Sequence, residues 1–433
     1  DNLFLAADSR NRADWLLGVN SSHAICKAVG FGNNSLGRVQ TPVLAEICRR
    51  YRERENHMPA DSWPVFISLC KNDRILKMRH VDDLVARREA LALYEDCKAA
   101  KNARITTVRK RTEEIGAPAL YNLAELQKDA NRYHGLTAIQ VQEIAQSLYE
   151  KRLISYPRTS SRLLPGDVYD TLPPVMEKML SRKEFRQYAG MVDLAAPQDS
   201  IGAQDTMEHH AIIITGIQPG KLGREEMLVY TLIVGRVLET FMPPCKVEYT
   251  TVDAVCAARK FRIRTYRILE KGWLGIFERE HIVAKGCMPC PMLPDFFQEE
   301  ILPVAGCSLI HKKSLPVSPY TDEELVDYMD KAGLGTVSTR TNILRTLLER
   351  KYIRYSGKYV VPTPKGLFLY ETVRGMKVAD ASLTSGWETE LARIERGELS
   401  QEEFLDGVLE TVNEVTGEIF RNHPVEKRPQ GTI

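Results

Sequence analysis

The chain has 433 residues, 43% of them hydrophobic and 27% charged, and a formal net charge of +2. Such a length holds several domains with their own cores, and no apolar run approaches the roughly 20 residues of a membrane-spanning helix. The near-neutral balance excludes a global basic field, so any nucleic-acid binding must come from local patches.

Residues 1–55 read as helical, with Ala13, Leu16 and Leu17 on one apolar face and Val43, Leu44 and Ile47 on another after Pro42. Arg10, Arg12 and Asp14-Trp15 read either as a helix face for nucleic acid or as a buried ion pair. Gly37-Arg38-Val39-Gln40-Thr41-Pro42 joins a glycine that permits close backbone approach, two phosphate or base donors and a helix-opening proline. An ordinary interhelical turn is its alternative. Arg49-Arg50-Tyr51-Arg52-Glu53-Arg54 reads as a solvated helix face. From Trp63 the pattern changes to β-like runs, Trp63 to Leu69 and Arg104 to Val108, and Gly116-Ala117-Pro118 marks a boundary.

Helices return from Leu120. Thr137-Ala138-Ile139-Gln140 fits a capping box, after which Val141, Ile144, Ala145, Leu148 and Tyr149 form one buried stripe. Just beyond lies Tyr156-Pro157-Arg158-Thr159-Ser160-Ser161-Arg162, a phenol and two guanidinium groups within seven residues. Lys151, Arg152, Arg158 and Arg162 against Glu150 make the stretch locally +3. Arginine favours planar, bidentate recognition of phosphate. Alternate residues of an extended segment share a face, so Tyr156 and Arg158 can point the same way. A phenol with a pKa near ~10 is a poor nucleophile at neutral pH; a neighbouring cation favours the phenolate and stabilises phosphoryl charge. Read alone, the stretch is first of all a surface turn with solvated arginines.

His209-His210 precedes an apolar run. Adjacent residues diverge, which argues against a metal pair, and one histidine directed at a phosphate or leaving oxygen is the better reading. Arg224 to Phe241 reads as another helix, ended by Pro243-Pro244, and β runs follow at Val247–Val252 and Phe261–Arg264. Two β segments thus flank the helical block that carries Tyr156, as if it were inserted into a β domain. Nine cysteines, from Cys26 to Cys307, fit a reducing cytoplasm better than a disulfide framework. Cys287-Met288-Pro289-Cys290 has Cys307 as a third zinc ligand at most, so we expect no metal. From Tyr320 a capped helix, Gly333 and Gly335, a second helix and two strands about Ser356-Gly357 follow the order of a winged helix-turn-helix. Arg340 and Arg345 would face nucleic acid, or the unit only packs. The tail from Asn422, with Pro424 and Pro429, reads as loose. Asp-x-Asp, a Walker loop and a GxGxxG turn between strand and helix are all missing, so ATP use has no support.

Taken in order, these segments resemble type IA DNA topoisomerases, closest to the topoisomerase III branch. The resemblance rests on Arg12-Ala13-Asp14-Trp15-Leu16-Leu17-Gly18-Val19-Asn20, Gly37 to Pro42, Leu123 to Gln127, Tyr156 to Thr159, His209 to Ile213, and Gly333 to Thr336 with Ser338 to Arg340. It implies a multidomain α and β fold: a toroidal core of helical, winged-helix-like domains with a β-rich arch. Helical base segments would occupy 1–60 and 316–433, the arch 61–116 and 245–315, and the tyrosine domain 117–244. It also implies Tyr156 as the nucleophile that keeps a 5′-phosphotyrosine, Arg158 as the stabiliser of that phosphate and His209 as the proton-handling group. Arg38 and Gln40 match strand-contacting positions, and Arg12, Arg162 and Arg340 are further candidate DNA contacts. Ser160 stands where the family usually has Asp, and Ile214 where it has Pro. The resemblance further implies cleavage, strand passage and religation of single-stranded DNA without ATP. Mg²⁺ would be held by an N-terminal Toprim domain, expected before Asp1, a start without methionine that reads as a fragment. We expect that fragment to bind no metal itself and to relax DNA poorly. A helicase is a candidate partner, no membrane is expected, and the expected location is cytoplasmic, at the nucleoid. The alternatives are a non-catalytic single-stranded-DNA-binding gate module and a tyrosine recombinase, whose residue order differs.

Overall fold

The computed structural model describes residues 2–29, 34–183, 185–193, 209–337 and 339–423. Ser338 and the proline-containing tail from 424 lie outside the described residues. The chain opens with α1 (Asn2–Val29) and α2 (Gln40–Glu55), then β1 (Asp61–Ser62), β2 (Val65–Lys71), β3 (Arg74–His80), α3 (Arg87–Ala99) and β4 (Asn102–Ile115). A helical run follows: α4 (Leu123–His134), α5 (Ala138–Glu150), α6 (Gly166–Tyr169), α7 (Leu172–Leu180) and α8 (Arg224–Thr240). Next come β5 (Cys245–Cys256), β6 (Arg259–Glu270), α9 (Glu280–Ala284), β7 (Met288–Pro289), β8 (Ile301–Leu309), β9 (Lys312–Lys313) and β10 (Tyr320–Thr321). The chain closes with α10 (Asp322–Lys331), α11 (Arg340–Glu349), β11 (Ile353–Ser356), β12 (Tyr359–Pro362), α12 (Pro364–Val373), α13 (Ala381–Glu395) and α14 (Gln401–Asn422).

Strands β3-β2-β8-β4-β5-β6 lie side by side, and a β3–β6 pairing closes them into a barrel. The side-chain period of two turns Val65, Ile67, Leu69, Ile105, Val252, Ala254, Phe261 and Ile263 into its core, to which α3 adds Ala90, Leu93 and Cys97. The sequence reading finds β2, β4, β5 and β6 but passes over β3, α3 and β8. β3 buries only Leu76, Met78 and His80 among charged neighbours, and α3 only Ala90, Leu93 and Cys97, so neither shows a strong apolar run.

One pairing positions the helical block. Ile115, the last residue of β4, lies opposite Cys245, the first of β5. Residues 116–244 therefore leave and re-enter the sheet at adjacent points, with a separate core built from α4, α5, α7, α8 and the 211–214 segment. Another core joins α1 and α2 to α10–α14. There β10, β12 and β11 form a small antiparallel sheet beside α10 and α11. Gly333 and Gly335 take φ of +65° and +73° between those helices, and Gly357 takes +61° at the hairpin, the left-handed region where glycine costs least. Among the described residues no helix is long and apolar enough to cross a membrane.

Candidate active site and strand-binding cavity

The Tyr156 loop is held on two sides by backbone. Helix α5 starts at the expected capping box: Thr137 accepts from the Gln140 N–H, and the Gln140 side chain accepts from the Thr137 N–H. Past its end Arg152 turns the chain with φ +58°. Ile154 then bridges Ile214, and the Ser155 N–H donates to the Ile213 carbonyl (2.9 Å). Ser155 Oγ donates to the Ala211 carbonyl (3.1 Å) and accepts from the Ile213 N–H (2.9 Å). On the far side, Thr159 Oγ1 donates to the His209 carbonyl (3.1 Å), and the Ala211 N–H donates to Leu163 (2.9 Å). The start of α4 completes the clamp: the Leu123 N–H donates to Thr159, and Asn122, the helix cap, donates from Nδ2 to the Ser160 carbonyl (3.0 Å).

This stitching carries His209 to Tyr156, with ring centroids 4.5 Å apart and planes 52° to each other. Tyr156 is half-buried, His209 is exposed, and Arg158 is half-buried with its Nε shielded from solvent and without a hydrogen-bond partner among the described residues. A buried, unpaired guanidinium N–H is costly unless a ligand takes it. The Tyr156–His209 approach spans residues far apart in sequence and is a product of the fold. Tyr149, placed by periodicity in the buried stripe of α5, is instead 39% exposed and meets Tyr156 edge-to-face at 5.5 Å. Its position at the last turn frees it from the core, and no sequence signal separates that from burial.

Beneath the loop lies a polar cluster that the sequence reading missed. Asp129 of α4 accepts from Tyr121 Oη (2.5 Å), Arg236 Nη2 (2.7 Å) and Arg279 Nη1 (2.8 Å). Arg236 also reaches Glu239 (3.1 Å) and the Ala119 carbonyl (2.9 Å). These side chains come from four separate stretches, and only their shared burial reveals them. Arg162, a candidate DNA contact, belongs to the same scaffold, donating to the Leu120 and Ala119 carbonyls (both 3.1 Å).

A second feature is a cavity of about 630 Å³ walled by α1, the 35–40 loop and α11. Arg38 and Gln40 line it, as do Arg10, Trp15 and Arg350. Trp15 is 65% exposed, an aromatic surface open to the cavity. Arg38 is 5% exposed and pairs with Asp14 (2.5 Å) and Glu388 (2.8 Å), while its Nη1 has no partner among the described residues. Burial disfavours the charged guanidinium, but the two carboxylates outweigh it and raise the Arg38 pKa. Gln40 Oε1 accepts from Arg350 (2.6 Å), which also donates to Ser35. Arg10 pairs with Glu388 (2.7 Å) and Asp14 with Arg38, both partly exposed on one cavity wall, rather than with each other. Arg12 is exposed, paired with Asp8 (2.8 Å) and outside that wall. Arg340, buried at the start of α11, pairs with Asp330 (2.7 Å) and leaves Nε and Nη1 without partners among the described residues.

No group of three or more His, Cys, Asp or Glu among the described residues is placed to hold a metal ion. Cys307 packs against the barrel core, whereas Cys287 packs against a separate cluster around Tyr249 and Trp273.

A family model described as DNA topoisomerase matches residues 1–406. DNA topoisomerase 1 of Methanocaldococcus jannaschii is 29% identical over 410 residues, 93% of this chain and 52% of the relative. DNA topoisomerase 3 of Bacillus licheniformis is 28% identical over 450 residues, 97% of this chain and 61% of the relative. The chain thus spans between about half and about three-fifths of these relatives. Full-length topoisomerase I from Thermotoga maritima shares the fold, with a TM-score of 0.76 at 19% identity over 95% of this chain and 68% of that one. With a match that takes in both the tyrosine loop and the cavity, the chain belongs to the type IA DNA topoisomerase family.

Proposed function

We propose that this chain supplies the tyrosine half of an enzyme that cuts one DNA strand, passes another through and reseals the first, relaxing negative supercoils or separating linked circles. The observation that supports it most is the placing of His209 against Tyr156 beside an Arg158 N–H without a partner. Tyr156 Oη attacks a backbone phosphorus, the P–O3′ bond breaks, and a 5′-phosphotyrosine forms. Arg158 offsets charge on the non-bridging oxygens, and His209 handles the proton as the 3′-hydroxyl leaves. Religation is the reverse attack by that hydroxyl. The phosphodiester energy is kept in the tyrosyl ester, so no ATP is needed. The cavity lined by Arg38, Gln40 and Trp15 holds the strand by phosphate contacts and base stacking.

Mg²⁺ belongs, in this reading, to a Toprim domain outside the chain. The described residues do not fit such a site, and no step here runs through the ion. We expect the chain alone to relax plasmid poorly.

The test is incubation of the chain with end-labelled single-stranded oligonucleotide, Mg²⁺ and a separately supplied Toprim domain, stopped with SDS. A covalent adduct that carries the 3′-end label and is lost in Tyr156→Phe is the expected result. Binding without an adduct would favour a non-catalytic gate module. An adduct carrying the 5′-end label would mean a 3′-phosphotyrosine, as a tyrosine recombinase makes.

A further inference from the structure

The two faces of the β4–β5–β6 sheet carry charge differently. On one face Lys110 pairs with Asp295 (2.5 Å), Lys246 with Glu270 (3.0 Å) and Arg267 with Glu248 (2.7 Å). The register puts Arg109 of β4, Thr251 of β5 and Arg264 of β6 in one row on the other face. The next rows on that face add Arg111 beside Tyr249, and Arg262 beside Asp253. Lys260 also reaches Asp253 (3.1 Å), which already holds Arg262 (2.6 Å). Glu113 is shared likewise by Arg111 (3.1 Å) and Lys285. Arg104 is matched by Glu299 (2.8 Å), and Glu280 accepts from the Tyr266 hydroxyl (2.9 Å).

Among the described residues these seven cations thus meet four carboxylates, an excess of three on a chain whose formal net charge is only +2. Arg109 and Arg264 are exposed, and among the described residues neither side chain has a hydrogen bond or ion pair. They flank Thr251 across two strand spacings, about 10 Å of backbone. At that spacing the two like charges repel through solvent, and among the described residues no carboxylate pairs with either. The strand that carries Arg109 runs on, past Ile115, into the segment that clamps the Tyr156 loop.

We infer that this face of the barrel sheet is a second nucleic-acid contact, separate from the cavity, where Arg109 and Arg264 take up backbone phosphates. The inference rests on the proposed nucleic-acid function. Its ligand chemistry, the phosphodiester backbone, is common to single strands and duplex.

The experiment measures binding of the full chain to a fluorescent single-stranded oligonucleotide and, in a second arm, to a duplex across a salt series, beside the SDS adduct assay. Each lost phosphate contact lowers the log–log salt slope by roughly 0.7 for a single strand and 0.9 for a duplex. The double variant Arg109→Gln/Arg264→Gln should therefore lose about 1.4 to 1.8 of slope in the arm whose nucleic acid lies on this face. Lys246→Gln, on the neutralised face, should match the parent chain. Slopes unchanged in both arms, or lowered as much by Lys246→Gln, would overturn the assignment. Tyr156-dependent adducts in that same sample would show that the proposed cleavage chemistry stands without it.

Discussion

Arg158 makes the most specific demand at the scale of single residues. Its Nε is buried two residues from Tyr156 and unpaired among the described residues, so truncation removes a donor without freeing any protein group. Arg158→Ala should lower adduct yield about 10²- to 10³-fold, the usual loss of one preorganised donor to developing charge. Arg158→Lys should recover only part, because an ammonium cannot reproduce the planar fork. Equal yields from the parent and Arg158→Ala, measured on SDS gels at matched DNA occupancy, would remove Arg158 from the chemistry. Ser160 donates nothing to the site in this structure: its carbonyl accepts from Asn122, and its side chain is exposed.

At the scale of elements, the clamp depends on how α5 and α8 meet. Glu226, in the first turn of α8, accepts from Lys151 (2.5 Å) and Ser147 (2.7 Å), past the end and in the last turn of α5, and from the Gly223 N–H (3.0 Å). Those bonds, the Lys151 one foremost, lower its pKa from 4.5 to about 2. A carboxylate depressed on folding contributes stability above its ordinary pKa, and that contribution is lost as pH falls through the folded value. Glu226→Gln should therefore unfold at lower temperature than the parent at pH 7, by an amount near ~1 kcal/mol for a lost capping carboxylate. The difference should shrink between pH 4.5 and about 2. A gap in melting temperature that stays constant down to pH 2 would sink this account.

For the molecule as a whole, the surface between the tyrosine-bearing helices and the base helices matters most. Lys128 of α4 pairs with Asp327 of α10 (2.8 Å), Arg132 with Glu323, and Glu143 of α5 with Arg345 of α11 (2.6 Å). Gln127 donates to Thr341 (3.1 Å), and the Ala138 N–H donates to Asp322 (2.7 Å). Among the described residues of the tyrosine-bearing side, only Ala124 and Ala138 enter the base core. A surface so polar holds less firmly than an apolar one, as the proposed strand passage would need. Most of these pairs are partly exposed, so salt should weaken them as the Debye length falls from about 10 Å at 0.1 M toward about 3 Å at 1 M. Hydrogen exchange in α10 and at the start of α5 should speed up with salt, and more so in Asp327→Asn/Glu143→Gln. Exchange indifferent to both would mean that the surface is rigid.

The sequence by itself determined the local pieces: the capped helix before Tyr156, four barrel strands, the glycine-broken helix pair with its hairpin, and the ordered motifs that point to the family. Each is written in short-range periodicity and turn chemistry, which act over a few residues. Only the tertiary structure decided which side chains meet. It set His209 against Tyr156, drew Asp129, Arg236, Glu239 and Arg279 into one buried cluster, and turned Arg162 and Arg340 to protein partners. It also left Arg109 and Arg264 uncompensated across a strand. Those outcomes depend on strand register and on burial between distant segments, and no local pattern of residues encodes either.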